Sequence, residues 1–268
     1  KNLENTINLS VKKSLASDVE VGCFLSGGTD SSIISYYMSK NSLKKIKTFC
    51  LFSKEIMTDE SLEAKNFSEF IGSDHYEIEL KKENIEEYFQ NMHDIYDEPF
   101  ADTSRIPTNF ISKFAKQHVS VVLSGDGGDE LFGGYSRYVN IRNKLMKKSD
   151  FKTYRNLQIA KILNVLPMNI QNQLGIFIKK PNLSYRINKL IKNFENSDEK
   201  DLYLDSISNN YDINDVLFNS KAININEIVN YKKISKDPQE NFLMYDFNNF
   251  LPSRLLTKVD RESMKYSL

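Results

Sequence analysis

Cysteine is almost absent from the chain: Cys23 and Cys50 are the only two in 268 residues. Both fall inside runs that read as buried strands, so they are expected as free thiols in a reducing cytoplasm, not as a disulfide or redox pair. Histidine is nearly as scarce. His75, His93 and His118 are scattered and make no zinc-binding spacing with two distant cysteines. Long apolar runs are missing too. None reaches the roughly 20 residues of a membrane-spanning helix, and no secretory signal opens the sequence. Neither sign of charge is in excess: Lys+Arg and Asp+Glu number 36 each, which argues against nucleic acid as a partner, since such proteins carry a basic footprint. What is present is ordinary, 40% hydrophobic and 27% charged, and sized for one large domain or two small ones.

The first half alternates between two periodicities. Leu3, Ile7, Val11 and Leu15 recur every fourth residue and predict an amphipathic helix. Val19–Leu25 reads as a strand, followed by a helix from about Asp30 to Lys40 that is expected to bury Ile33, Ile34, Tyr37 and Met38. Thr48–Phe52 is a continuous apolar run, as a buried parallel strand requires. A helix capped by Thr58 or Asp59 carries Leu62, Phe67, Phe70 and Ile71 and stops at Gly72. His75–Leu80 alternates polar with apolar, so one face is wet and the strand belongs at a sheet edge. Helices over about 83–96 and 104–117 and a strand at 119–124 complete an alternation that implies parallel βαβ crossovers. Beyond about Tyr138 only helical periodicity remains, as in Ile159–Leu166, Tyr185–Phe194 and Ile223–Val229. Lys144, Lys147, Lys148 and Lys152 read as a solvated helix face.

Glycine concentrates where strands end. Ser26-Gly27-Gly28-Thr29-Asp30-Ser31-Ser32 lies between the first strand and its helix. Glycines let the backbone turn and approach a ligand closely, and the free N–H groups of a helix start favour anions. The loop is therefore suited to phosphate oxygens. It lacks the lysine of a Walker A loop and carries an acid, Asp30, instead. A carboxylate beside phosphate makes sense with a magnesium ion between them. The second loop, Ser124-Gly125-Asp126-Gly127-Gly128-Asp129-Glu130-Leu131-Phe132-Gly133-Gly134-Tyr135, follows the strand at 119–124. In open α/β sheets ligands collect at the carboxyl ends of strands where the strand order reverses. Two such loops point to one shared site, the first holding phosphates and the second adding carboxylates.

These stretches are familiar. SGGTDSS resembles the pyrophosphate loop of ATP pyrophosphatases, and SGDGGDELFGGY resembles the second motif of the asparagine synthetases. Leu251–Met264, LPSRLLTKVDRESM, is similar to that family's LPxxxLTKVDRxSM segment, and Tyr96–Asp102 fits one bacterial branch. The order of motifs matches over nearly the whole chain. The neutral net charge counts against the tRNA thiolases that share the first loop. The resemblance implies an α/β fold, a parallel sheet with helices on both faces like the adenine nucleotide α-hydrolases. It places the pyrophosphatase part at 1–140 and a helical part of the same synthetase domain at 141–268. It also implies that the chain is a segment ending inside the third motif, and that a glutaminase domain with a nucleophilic cysteine stands before it in the complete polypeptide.

The residues carry over one by one. Ser26, Gly27, Gly28, Asp30, Ser31 and Ser32 are expected around the β- and γ-phosphates of ATP, with Ser124 nearby. Asp30 and Asp129 are expected to hold Mg2+. The backbones of Leu25, Leu51 and Gly125 are expected to take the adenosine. Asp126 stands where many relatives have glutamate and is expected to assist formation of the acyl-adenylate. Lys258 is a catalytic candidate. It and Asp260 either line the cleft or form a surface pair. Asp97–Asp102 either walls the acceptor site or, at Asp102, caps the next helix. The implied activity is an ATP-dependent ligase that adenylates aspartate and transfers ammonia to give asparagine. Two other readings stay open, adenylation of another carboxylate such as a sugar uronate or a lactam precursor, and a nucleotide-binding module without catalysis. No membrane partner is expected.

Overall fold

The computed structural model describes residues 2–54, 60–146, 151–180, 182–195, 198–207 and 231–268. Four strands, β1 (Val21–Phe24), β2 (Lys47–Phe52), β3 (Asp74–Glu79) and β4 (Val121–Leu123), form one sheet in the order β3-β2-β1-β4. Every pairing is parallel, with Cys23 opposite Thr48 on one side and Leu123 on the other. The order reverses between β1 and β4, so the glycine-rich loops leave neighbouring strand ends. As its alternation requires, β3 is an edge strand, and its charged residues discourage further pairing.

Helices cover both sheet faces. Residues along a strand alternate in direction. Val21 and Cys23 pack with Val11 of α1 (Asn2–Ser14) and Met38 of α2 (Thr29–Asn41). Phe24 and the fully buried Phe49 pack instead with Ala115 of α5 (Arg105–Ala115) and with Val119. A buried phenylalanine of this kind contributes about 1.5–3 kcal/mol. Leu25 and Cys50 pack on Ala64 of α3 (Ser61–Ile71), which ends at Gly72 in the left-handed conformation. A further cluster joins Leu80, Tyr88 of α4 (Lys82–Asn91), Ile95 and Phe110. The anticipated burial fails at Ile33, 37% exposed, and on α3 the apolar Leu62 and Phe70 are 64% and 72% exposed. Apolarity at helical spacing marks a stripe, but only its middle meets the sheet. The caps considered at Thr58 and Asp59, the lysines at 147 and 148, the side chain of Lys152 and the segment 223–229 lie outside what the structure describes.

No strand follows β4 among the described residues. The helices are α6 (Gly128–Phe132), α7 (Ser136–Met146), α8 (Phe151–Asn164), α9 (Met168–Phe177), α10 (Leu183–Glu195), α11 (Glu199–Ile207) and α12 (Pro238–Tyr245). A π-helix (Asp246–Leu256) and α13 (Thr257–Met264) follow. Contacts divide the chain into two compact units, Lys1–Phe132 with Asp246–Leu268, and Gly133–Tyr245. This differs from a single cut at 140: the segment carrying the third motif returns to the α/β unit. The second unit has its own core of Tyr138, Ile141, Leu202, Tyr203 and Phe242, with Tyr203 and Phe242 stacked at 4.6 Å. No described helix is long and apolar enough to cross a membrane.

Candidate active site

Leu25 continues β1 by donating its N–H to the Phe49 carbonyl at 2.9 Å. The chain then turns sharply. Gly27 has φ of 82°, a region that costs a side-chain-bearing residue about 1–2 kcal/mol. A Cβ at this position would also stand 2.7 Å from Glu63 Cβ and 2.8 Å from Ala64 N, so α3 closes the outer side of the turn. The loop is braced from within. The Ser31 hydroxyl donates to the Gly28 carbonyl at 3.2 Å and lies 3.0 Å from the Ser26 hydroxyl, and the Ser26 and Gly28 amides donate to these hydroxyls at 3.2 and 3.3 Å. Ser31 is buried and acts as a strut of the loop, while Ser26 is exposed at its rim. Ser32 bonds through its N–H to the Gly28 carbonyl as α2 begins.

The second loop is braced in the same manner. Ser124 Oγ donates to Asp126 Oδ2 at 2.7 Å, and the Gly128 amide donates to the Gly125 carbonyl at 3.1 Å. Asp126 is exposed, Asp129 is half-buried and Glu130 is buried at the start of α6.

The two loops touch. A Cβ on Gly125 would stand 2.7 Å from Ser31 N and 3.0 Å from Asp30 Cβ. A Cβ on Gly128 would crowd against the Asp30 carboxyl carbon, with its oxygens 2.7 and 2.8 Å away. Backbone approach therefore requires glycine at 125, whereas at 128 an added methyl group would push the Asp30 carboxyl aside. Partial burial and, next, the Asp129 charge hold the Asp30 carboxyl above the usual carboxylate range. Two like charges on adjoining loops fit a cation that relieves them. Among the described residues no group of three or more His, Cys, Asp or Glu side chains gathers to hold a metal. Magnesium needs no such group, since it is commonly bound by one or two carboxylates plus substrate phosphates and water.

The third motif meets this site from the π-helix. Leu251 packs on Gly127 of the second loop. One turn on, Arg254 Nε pairs with Asp102 Oδ2 at 3.2 Å and Arg254 Nη2 donates to the Ala101 carbonyl at 3.4 Å. Lys258 is buried and donates to Ser104 Oγ at 3.0 Å, while Asp260 is exposed. Lys258 thus reaches inward instead of pairing with Asp260. Asp102 also accepts from Ser104 N–H and Oγ, at 2.9 and 2.6 Å, at the start of α5. Burial alone would raise the Asp102 carboxyl. The Ser104 hydrogen bonds, the Lys258 charge and the Arg254 hydrogen bond outweigh it and hold the carboxyl below its usual range.

The structure accordingly brings Ser26, Gly27, Gly28, Asp30, Ser31, Ser32, Ser124, Gly125, Asp126 and Asp129 to the ends of two adjacent strands. Leu25 and Leu51 lie at the ends of β1 and β2. The Leu51 side chain is committed to the cluster around Leu80 and Tyr88. Lys258 instead meets Ser104 at the start of α5. Sequence reasoning missed Ser104, Arg254 and the buried Glu262 as organisers. The signal available was the i, i+4 spacing of Arg254, Lys258 and Glu262 along one helical face.

One stability measurement tests the Asp30 environment. A carboxyl raised in the folded state favours folding while protonated. That stability is fully present below the ordinary pKa of about 4 and is lost as pH rises through the folded value. Asp30→Asn is therefore expected to raise the neutral-pH Tm of the ligand-free protein. It is also expected to remove the stabilisation of about 2.7 kcal/mol that Mg·ATP at about 100 times its Kd gives the wild type. A variant that melts like the wild type in both conditions contradicts the assignment.

Comparisons with known proteins fit the site's motifs. The chain is 37% identical over 169 residues to a putative asparagine synthetase (glutamine-hydrolyzing) 2 of Methanocaldococcus jannaschii, covering 57% of this chain and 33% of that protein. It is 40% identical over 147 residues to asparagine synthetase (glutamine-hydrolyzing) 1 of Bacillus subtilis, covering 52% of this chain and 22% of that protein. The matched part thus spans a third or less of these curated relatives. Among solved structures, an NH3-dependent NAD synthetase from Campylobacter jejuni aligns with a TM-score of 0.36 at 11% identity, covering 72% of this chain and 94% of that one. A family model, asparagine synthase, matches residues 2–268, and the chain belongs to that family.

Proposed function

We propose that this chain is the synthetase part of an ATP-dependent amide ligase, acting in the cytoplasm, that adenylates the side-chain carboxylate of aspartate and transfers ammonia to it. The observation that carries the reading is the docking of the two glycine-rich loops, with the Asp30 carboxyl against Gly128 and under the charge of Asp129. A carboxylate is a poor electrophile, and transfer of AMP makes it a good one. The step needs a held pyrophosphate, charge neutralisation and an in-line path. In this reading Ser26, Gly27, Gly28, Ser31 and Ser32 hold the β- and γ-phosphates, and Ser124 borders them. Leu25, Leu51 and Gly125 contact the adenosine through their backbones, and Asp126 assists at the reacting carboxylate. Asp30 and Asp129 hold Mg2+, which supplies charge neutralisation on the phosphates. The stretch Asp97–Asp102 forms the acceptor wall, with Lys258 behind it through Ser104.

Ammonia in the complete protein comes from a glutaminase domain in this reading. Within residues 1–268 both cysteines are buried in strands, and burial pushes the Cys23 thiol up to about 12. Neither is a nucleophile for glutamine. Any amide formation by residues 1–268 alone is expected to run on ammonium and to ignore glutamine. Glutamine-supported amide formation by these residues, or ATP turnover indifferent to any carboxylate, rules the reading out.

A further inference from the structure

Glu262 is a fully buried carboxylate on α13 for which the adenylation chemistry has no direct use. Its Oε1 accepts from the Tyr88 hydroxyl at 2.6 Å and the Tyr96 hydroxyl at 2.7 Å, and its Oε2 accepts from Asn109 Nδ2 at 2.7 Å. The Tyr266 hydroxyl donates to Asn109 Oδ1 at 2.8 Å and completes the network. The donors come from α4, from the stretch before Asp97 and from α5. A buried carboxylate is costly unless its lone pairs are satisfied. Once satisfied, its charge-assisted bonds fix direction in a way an apolar contact does not. Burial, and then the bond to Glu262, raise both tyrosine hydroxyls, so they stay protonated donors.

The position on the helix gives this anchor its reach. Lys258 precedes Glu262 by four residues, on the same helical face. Glu262 grips Tyr96 and Lys258 grips Ser104, so one helix face holds both ends of the strip 96–104. Inside the strip Tyr96 stacks on Phe100 with ring centres 4.8 Å apart, and Arg254 holds Asp102. We propose that Glu262 is a positioning residue, which sets where the 96–104 strip and Lys258 stand relative to the acceptor carboxylate. This rests on the reading of Asp97–Asp102 as the acceptor wall.

Two variants in the complete protein test it. Glu262→Gln keeps the shape and replaces one acceptor oxygen with a donor. Tyr96→Phe removes a single hydroxyl and leaves Tyr88 and Asn109 on the carboxylate. Both are expected to raise the acceptor KM in pyrophosphate release about tenfold and leave the KM for ATP within twofold. Acylation of lysines by a mild amine-reactive ester, mapped by mass spectrometry, gives a readout independent of turnover. Lys258 is expected to label about tenfold faster in Glu262→Gln, while Lys47 on β2 keeps its wild-type rate. If Glu262→Gln does not fold, Tyr96→Phe decides through the acceptor KM. A lowered Tm with unchanged acceptor KM and a still protected Lys258 shows a purely structural group and overturns the proposal. Absence of acceptor-dependent pyrophosphate release in the wild type sinks the proposed function instead, and the labelling of Lys258 still decides the role of Glu262.

Discussion

Gly128→Ala is expected to lower acceptor-dependent pyrophosphate release about 100-fold while the protein stays folded. The added methyl group has no room, because the Asp30 carboxylate oxygens lie 2.7 and 2.8 Å from where it would stand. Something must give, and the free end of a side chain gives more easily than the backbone of two packed loops. Asp30 is therefore displaced from its place opposite Asp129. Misplacing one catalytic group by about 1 Å costs on the order of 100-fold, whereas overpacking costs about 1–3 kcal/mol of stability. Gly72→Ala separates strain from proximity. Gly72 has φ of 70° with nothing within 4 Å of an added Cβ, so it pays only the conformational penalty of about 1–2 kcal/mol and leaves turnover unchanged. Steady-state kinetics beside thermal melts of both variants decide the matter. Gly128→Ala with near wild-type turnover means that the two loops do not share one site.

The parts of the fold that sequence made legible are those in which local chemistry dictates geometry. A glycine pair after an apolar run leaves little choice but a tight turn into a helix, and Gly27 adopts the positive φ such a turn needs. Alternation at His75–Leu80 put β3 at the edge, where it is. Continuous apolarity at Thr48–Phe52 matched a strand covered on both faces. What stayed hidden depends on partners far along the chain. Helical periodicity in 246–268 says that a face is buried but not against what, so the return of Arg254, Lys258 and Glu262 to the elements around Asp102, Ser104 and Asn109 was invisible. The same limit applies to Ser31. A hydroxyl in a phosphate loop reads as a ligand donor, yet its strongest visible task is to hold Gly28. Lys258 was ambiguous for a similar reason, since the charge of Asp260 two residues away says nothing about the Ser104 oxygen that it meets.

Asp126→Asn is expected to separate binding from chemistry. Asp126 is exposed at the second loop, and one carboxylate oxygen is held by the Ser124 hydroxyl at 2.7 Å. The other accepts no hydrogen bond from the described residues and is open to a substrate in the proposed reading. Asparagine keeps the size and can still accept from Ser124, so the loop and ATP binding are expected to survive. The charge is lost, and with it, in the proposed reading, the ability to take or hold a proton at the reacting carboxylate, a contribution typically worth about 100- to 10,000-fold in rate. Aspartate labelled with heavy oxygen in its side-chain carboxylate reads the chemistry directly. A loop that grips the β- and γ-phosphates leaves the α-phosphorus open to in-line attack. One labelled oxygen should then end in AMP, with unlabelled pyrophosphate as the co-product. A phosphoryl transfer from the γ-position would place the label in inorganic phosphate beside ADP. In the variant, labelled AMP should fall by at least about 100-fold while Mg·ATP still raises the Tm as in the wild type. Asp129→Asn should lose that thermal shift as well. Labelled AMP formed by Asp126→Asn at the normal rate removes this acid from the chemistry, and label in inorganic phosphate removes adenylation itself.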